Sequence, residues 1–414
     1  MPCASATIRM ACVILVRPYS QKESGFAGVM FDYFQEINVV NIFKKLGASS
    51  VLASLSVAGI LAGVAAPVAA QEEKILNIYN WSDYIGDDTI ANFEKETGIK
   101  VRYDTFDSNE TLHAKLVAGK TGYDIVVPSS NWAKIQIDGG LFTKLDKSKI
   151  TTYANLDPFV MKQLVGMDAG NAHIVPWLWG VTTVGVNMGK LKAALGSMPM
   201  PDNAWDLIFK PEYAVKAKSC GISVLDSGDE VFPAALRYLG KPPYSKNPAD
   251  YQAAGKLLAA IRPNISLFSS SGYINDLAGG SLCLVLGWNG DISIAAARAK
   301  EAKNGNDIQV LLPKTGAVLF FDTMAIPVDA QHVENAYKFM SYIYRPEVNA
   351  ELVNKVLYAN PVPASAKSIK PEVRSNKAVF MSPEDLAKMV PPEAVSSDIR
   401  RLRTRLYTTF KTGL

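Results

Sequence analysis

Ile75-Leu76-Asn77-Ile78-Tyr79-Asn80 opens the pattern that decides the fold. This apolar run is predicted to be a strand, and a helix-spaced stretch over 89–97 follows it and stops at Gly98. A second strand over 100–104, a second helix over 110–118 and a third strand, Tyr123-Asp124-Ile125-Val126-Val127, end at Pro128. A helix over 132–138 comes next. The order is βαβαβ, which implies an α/β fold with a mostly parallel sheet and helices on both faces.

Around Pro176-Trp177-Leu178-Trp179-Gly180 the pattern changes. A strand over 182–187 opens a second set: helices near 190–195 and 204–209, a strand over 221–225, helices over 230–239 and 249–261, a strand over 282–286 and a helix over 291–302. Asn247 followed by Pro248 marks the start of the 249–261 helix, as an N-cap and a first helical position. Strands over 308–312 and 318–325 and a helix over 335–344 have no partner set, so they are expected to return to the first domain. Two lobes result: 71–178 plus about 304–350, and 181–300 plus about 351–414. Hinges are expected near 179–181 and 299–304, around a cleft.

The N-terminus reads as export machinery. Lys44 and Lys45 precede an uncharged stretch over 46–64, and Val68-Ala69-Ala70 supplies small residues where a signal peptidase cuts. Residues 39–70 are expected to be a signal peptide cleaved after Ala70, which places the protein in the periplasm. A membrane anchor is the competing reading, disfavoured by the wealth of Ala, Gly and Ser. Residues 1–38 precede a signal that works without them and read as an upstream extension from a start codon assigned too early. Downstream of Ala70, 38 basic and 36 acidic residues remain of the 43 and 39 in the whole chain. No net field draws nucleic acid, and any charge preference must be local. Cys220 and Cys283 are the cysteines left after cleavage; in an oxidising compartment they read as one disulfide between adjacent strands, with two buried free thiols as the alternative.

At three strand ends an aromatic residue stands beside an aspartate: Trp81-Ser82-Asp83-Tyr84, Trp288-Asn289-Gly290-Asp291 and Phe320-Phe321-Asp322. Open α/β sheets place ligands at strand ends. An aromatic face beside a carboxylate suits an organic cation, whose charge needs an anion and whose hydrocarbon needs an apolar wall. The competing reading is a packed aromatic next to a solvated turn.

These segments, with Phe93-Glu94-Lys95-Glu96-Thr97-Gly98, Tyr123 to Ser129 and Tyr273-Ile274-Asn275-Asp276-Leu277, resemble the polyamine-binding subfamily of periplasmic substrate-binding proteins over essentially all of 74–414. The resemblance implies a two-lobe, type II substrate-binding fold that closes over one polyamine, putrescine or spermidine, and delivers it to an ABC permease. It places Trp81, Ser82, Asp83, Tyr84 and Ser129 in the cleft from the first lobe and Glu230, Trp288 and Asp291 from the second, with Phe320, Asp322 and Tyr358 as further ligand contacts. The putrescine-receptor branch also has a bridged pair similar to Cys220 and Cys283. Asp291 and Asp322 are assigned to one ammonium group, and Asp83 with Ser129 to the other. Asn289, Asn131-Trp132 and Ser227-Gly228-Asp229 depart from the putrescine pattern and leave the choice among putrescine, spermidine, cadaverine and agmatine open.

Bland roles compete for several of these residues. Asp291 is a good N-cap, Glu230 a first-turn helical acid, Asp83 a turn residue and Tyr358 ordinary core. The arginines at 400, 401, 403 and 405 suit either a permease or membrane patch or a surface helix. No catalytic residue, metal or cofactor is expected: His113, His173 and His332 lack metal-binding spacing, and no nucleophile elbow or phosphate loop is present. A monomeric receptor is expected; a polyamine sensor signalling through a membrane partner, and an exported polyamine-modifying enzyme, are the alternatives.

Overall fold

The computed structural model describes residues 72–413, so the upstream extension, the signal peptide and its cleavage site lie outside the described residues. Strand β1 (Ile75–Trp81) is buried along its middle, and alternation sorts its side chains onto two faces. Leu76 and Ile78 enter one apolar core, while Tyr79 enters another on the opposite side. Strand β2 (Lys100–Phe106) pairs parallel with β1, and β3 (Ile125–Val126) pairs parallel on its other edge. The helix Thr89–Thr97 between β1 and β2 ends because Gly98 takes φ 69°, a left-handed conformation that a glycine adopts without strain.

Strand β4 (Ile174–Asn187) has 14 residues, enough to extend about 45 Å. It is buried on both faces, as its nearly continuous apolar sequence requires. Its remaining partners are β5 (Ile222–Val224), β6 (Leu267–Phe268), β7 (Leu284–Trp288), β8 (Ile308–Leu311) and β9 (Val318–Ala325). Antiparallel β9 runs along Ile174 to Thr182, whereas β7 and β8 flank Thr182 to Asn187. β5 is parallel to both β7 and β6. The order β2-β1-β3-β9-β4-β7-β5-β6, with β8 beside β4, is therefore one sheet divided lengthwise by β4. Parallel pairing is confined to the outer strands of each half. The crossing strands add antiparallel pairs because β9 returns against β4.

Two large apolar cores follow the same division. One gathers Leu76, Ile78, Phe93, Trp177, Met324, Phe339, Leu352 and Val356; the other gathers Val184, Trp205, Phe232, Leu284, Ile292 and Phe410. Side chains over 348–362 pack into the first core, and Met389, Ile399 and Tyr407 into the second. Isolated bridges tie these segments to the crossing strands, Ala359 to Trp179 on β4 and Val390 to Val318 on β9. Residues 299–304 do not cross; they are the end of helix Asn289–Glu301 and the turn after it. The second crossing is β9. Asn247 caps helix Pro248–Ile261 by accepting a hydrogen bond from the Ala249 amide, as its position before proline predicts.

The register that places Ile222 beside Leu284 also brings Cys220 and Cys283 together, and they form a disulfide with Cα atoms 5.4 Å apart. Among the described residues no helix is long and apolar enough to cross a membrane.

Candidate ligand cleft

Nine of the eleven expected site residues line one cavity: Trp81, Tyr84, Ser129, Glu230, Trp288, Asp291, Phe320, Asp322 and Tyr358. The space between these side chains is a slot of about 340 Å³ that opens to solvent. The strand ends build it. Trp81 closes β1, Trp288 closes β7, and Phe320 and Asp322 sit on β9 where it crosses.

Asp322 is 5 % exposed and accepts two hydroxyl hydrogen bonds, from Ser129 Oγ at 2.7 Å and Tyr84 Oη at 2.9 Å. Ser129 is held beside it by a backbone bridge and by Asn109, whose Nδ2 donates to Ser129 Oγ and whose Oδ1 accepts from the Ser129 amide. Asp291 is 8 % exposed and is built the same way: Tyr358 Oη donates at 2.5 Å and Tyr273 Oη at 2.9 Å. Glu230, in the first turn of helix Gly228–Tyr238, accepts from Thr182 Oγ1 on β4.

Burial pushes Asp291 and Asp322 up to about 7 from the ordinary 3.8, and the hydroxyl donors oppose that rise. Burial also pushes Glu230 up to about 7, opposed by its Thr182 hydrogen bond and raised further by Asp229. Three carboxyls therefore meet in one slot with neutral donors as their partners. Rings close the walls. Trp81 and Trp288 meet edge to face at 5.9 Å, Trp288 lies 6.4 Å from Phe320, Phe320 5.9 Å from Tyr358, and Tyr358 5.0 Å from Tyr84. The Trp81 indole is pinned by its Nε1 donating to the Val127 carbonyl at 2.9 Å.

Ser82 and Asp83 are not brought into this slot. In the turn after β1, where Asp83 takes φ 55°, Trp81 and Tyr84 line the cavity and the two residues between them do not. Its carboxylate instead accepts from Arg298 of the opposite core at 2.7 Å, with side chains 41 % and 33 % exposed. Asp291 is not an N-cap. It lies inside the first turn of helix Asn289–Glu301, whose N-cap position is Trp288. Ser129, paired in expectation with Asp83, stands with Asp322 instead.

Among the departures, Asn289 is fully buried and structural, accepting from the Val181 amide and donating to the Ala378 carbonyl. Asn131 reaches across to Asp229 at 3.5 Å. The basic terminal helix Ser397–Thr412 uses Arg403 internally, buried in an ion pair with Asp229, and Arg401 pairs with Asp398. Tyr273, Thr182 and Asn109 escape sequence reading because each acts through another side chain. Of the three, Tyr273 alone lies in one of the family-like segments, Tyr273-Ile274-Asn275-Asp276-Leu277.

Residues 88–381 match the family model described as bacterial extracellular solute-binding protein. The chain is 48 % identical over 358 residues to the putrescine-binding periplasmic protein PotF of Escherichia coli (strain K12), covering 86 % of this chain and 96 % of that one. It is 44 % identical over 372 residues to the putrescine-binding periplasmic protein SpuD of Pseudomonas aeruginosa (strain UCBPP-PA14), covering 90 % and 100 %. Among solved structures, a putative spermidine/putrescine ABC transporter protein from Listeria monocytogenes superposes with a TM-score of 0.73 at 29 % identity, over 82 % of this chain and 99 % of that one. With a family match over most of its length and relatives this similar, the chain belongs to the bacterial extracellular solute-binding proteins.

Proposed function

We propose that this protein is a periplasmic receptor that binds a diamine of the putrescine class between its two lobes and presents it to an ABC permease. The observation that carries this reading is the meeting of Asp291, Asp322 and Glu230 in an aromatic slot, hydrogen-bonded to hydroxyls rather than to lysine or arginine. Carboxylates removed from water need counter-charge. A dication supplies it at both ends, and its methylenes fit the ring edges between. The names of the similar proteins support the same ligand class.

Asp322, with Ser129 and Tyr84, takes one ammonium group, and Asp291, with Tyr358, takes the other; Glu230 adds charge beside Trp288. The lobes close by bending β4 near Trp179–Val181 and β9 near Phe320, because both strands carry the chain between the two cores. Ligand binding favours the closed form since only that form brings both sets of carboxylates to one diamine. No bond is made or broken.

Calorimetric titration with putrescine, cadaverine, agmatine and spermidine, on protein refolded to strip carried ligand, tests this. Saturable one-to-one binding is expected, and folded protein that takes up none of the four would overturn the reading.

A further inference from the structure

We propose that Tyr273 is a positioning residue of the cleft: its hydroxyl ties the Trp288 amide to the Asp291 carboxylate and so sets where that negative charge stands. The inference rests on the diamine reading above and extends it to a residue that no ligand touches. Tyr273 is 1 % exposed and does not line the slot. Its hydroxyl accepts from the Trp288 backbone N–H at 3.1 Å and donates to Asp291 Oδ2 at 2.9 Å.

The reason lies in the junction where β7 becomes helix Asn289–Glu301. First-turn amides of a helix have no partner within it. The usual solution is a side-chain cap, but Trp288 at the N-cap position has no oxygen to offer. Two tyrosines take that place. Tyr273 accepts from the Trp288 amide, Tyr358 accepts from the Asp291 amide at 3.1 Å, and each passes its own proton toward one oxygen of Asp291. Asp291 is thereby fixed through both oxygens, each keeping a lone pair for an ammonium group.

Glycine makes the approach possible. A Cβ at Gly287 would stand 2.8 Å from the Tyr273 hydroxyl, and one at Gly290 2.3 Å from the Tyr358 ring. The helix Tyr273–Gly279 is held in register by Asn275, which accepts from Arg298 at 2.7 Å. Removing the Tyr273 hydroxyl leaves a buried amide and a buried carboxylate oxygen each short of a partner. The titratable and charged groups facing Asp291 are Tyr273, Tyr358, Tyr84, Asp322, Asp83 and Arg298, with Glu230 facing Tyr273.

The test is putrescine titration of wild type and Tyr273→Phe across about pH 6 to pH 9. The variant is expected to bind about tenfold more weakly near pH 6, with the loss shrinking toward pH 9, because a hydrogen bond to the ionised carboxylate is what it lacks. Equal loss at every pH, or none, overturns the proposal. In an Asp291→Asn background Tyr273→Phe is expected to cost no further affinity, and a second tenfold loss there also overturns it. Should the variant not fold, ¹³C NMR of the tyrosine ring carbons in the wild type decides. The Tyr273 Cζ signal must follow the Asp291 carboxyl with the same midpoint, and a flat titration overturns the link. That measurement uses no ligand, so failure of the wild type to bind any diamine sinks the binding reading separately.

Discussion

Asp291, Asp322 and Glu230 each hold a proton to about pH 7 because burial penalises their charge more than hydroxyl donors relieve it. Two opposite pH dependences follow. A folded-state pKa raised above the unfolded one means that, between about pH 4 and pH 7, the folded protein holds more protons than the unfolded chain. Stability without ligand is then fullest below about pH 4 as far as these groups are concerned, and falls as pH rises through 7. Thermal melts of ligand-free protein at pH 5.5 and pH 8, compared with an Asp291→Asn, Asp322→Asn double variant, should show that fall in the wild type and a smaller one in the double variant, where Glu230 alone still contributes. Diamine affinity moves the other way, rising with pH as the carboxylates ionise. Binding at about pH 6 should therefore release protons, seen in calorimetry as an enthalpy that depends on the buffer's own ionisation heat. Singly, Asp291→Asn and Asp322→Asn are expected to cut affinity at least about tenfold without loss of folding, the scale of a charge-assisted hydrogen bond. Unchanged affinity in both would remove these residues from the site.

Elements carry the site through their junctions. Helix Asn289–Glu301 places Asp291 in the slot at its start and Arg298, about two turns further along, on Asp83 outside it. That ion pair is substantially exposed, and such pairs contribute about 0–1 kcal/mol. Asp83→Asn should weaken diamine binding no more than about fivefold, well short of the effect at Asp291, and a tenfold or larger loss would restore Asp83 as a ligand group. Gly290→Ala is the sharper probe of the same helix. Its Cβ would stand 2.3 Å from the Tyr358 ring, so either the tyrosine or the helix must give way; an affinity loss of at least about tenfold is expected by titration. The Cys220–Cys283 bridge joins the start of β5 to the start of β7 across 63 positions. Its reduction should cost about 2–4 kcal/mol, read as a lower melting temperature in the presence of a reductant.

At the scale of the whole molecule, two strands carry the chain through both cores, and the cavity lies where they cross. A ligand touching residues from both cores shifts an open–closed equilibrium only by its differential affinity for the closed form. X-ray scattering should show the radius of gyration falling when putrescine is added to the wild type. The Asp291→Asn, Asp322→Asn double variant should show no such change. A wild-type profile identical with and without saturating putrescine would refute closure.

By itself the sequence determined whatever depends on near neighbours. The βαβαβ alternation, the Asn247–Pro248 helix start, the stop at Gly98 and the aromatic–acidic pairs at strand ends are signals a few residues long, and each stands where its local pattern put it. Six of the nine cavity residues, Trp81, Tyr84, Trp288, Asp291, Phe320 and Asp322, were legible for that reason, and Ser129, Glu230 and Tyr358 only through the family resemblance. Tertiary structure decided the rest. Within Trp81-Ser82-Asp83-Tyr84, the direction of each side chain hangs on one turn's backbone, with Asp83 at φ 55°, and no composition rule separates the inward residues from the outward ones. The second crossing is β9 rather than 299–304 because strand pairing joins β4 to residues some 140 positions away. The partners of the carboxylates are remoter still: Tyr84 and Asp322 are 238 positions apart, Tyr358 and Asp291 67. Such pairings are set by packing of the two cores around β4, and they bring three separate acidic residues to one cavity.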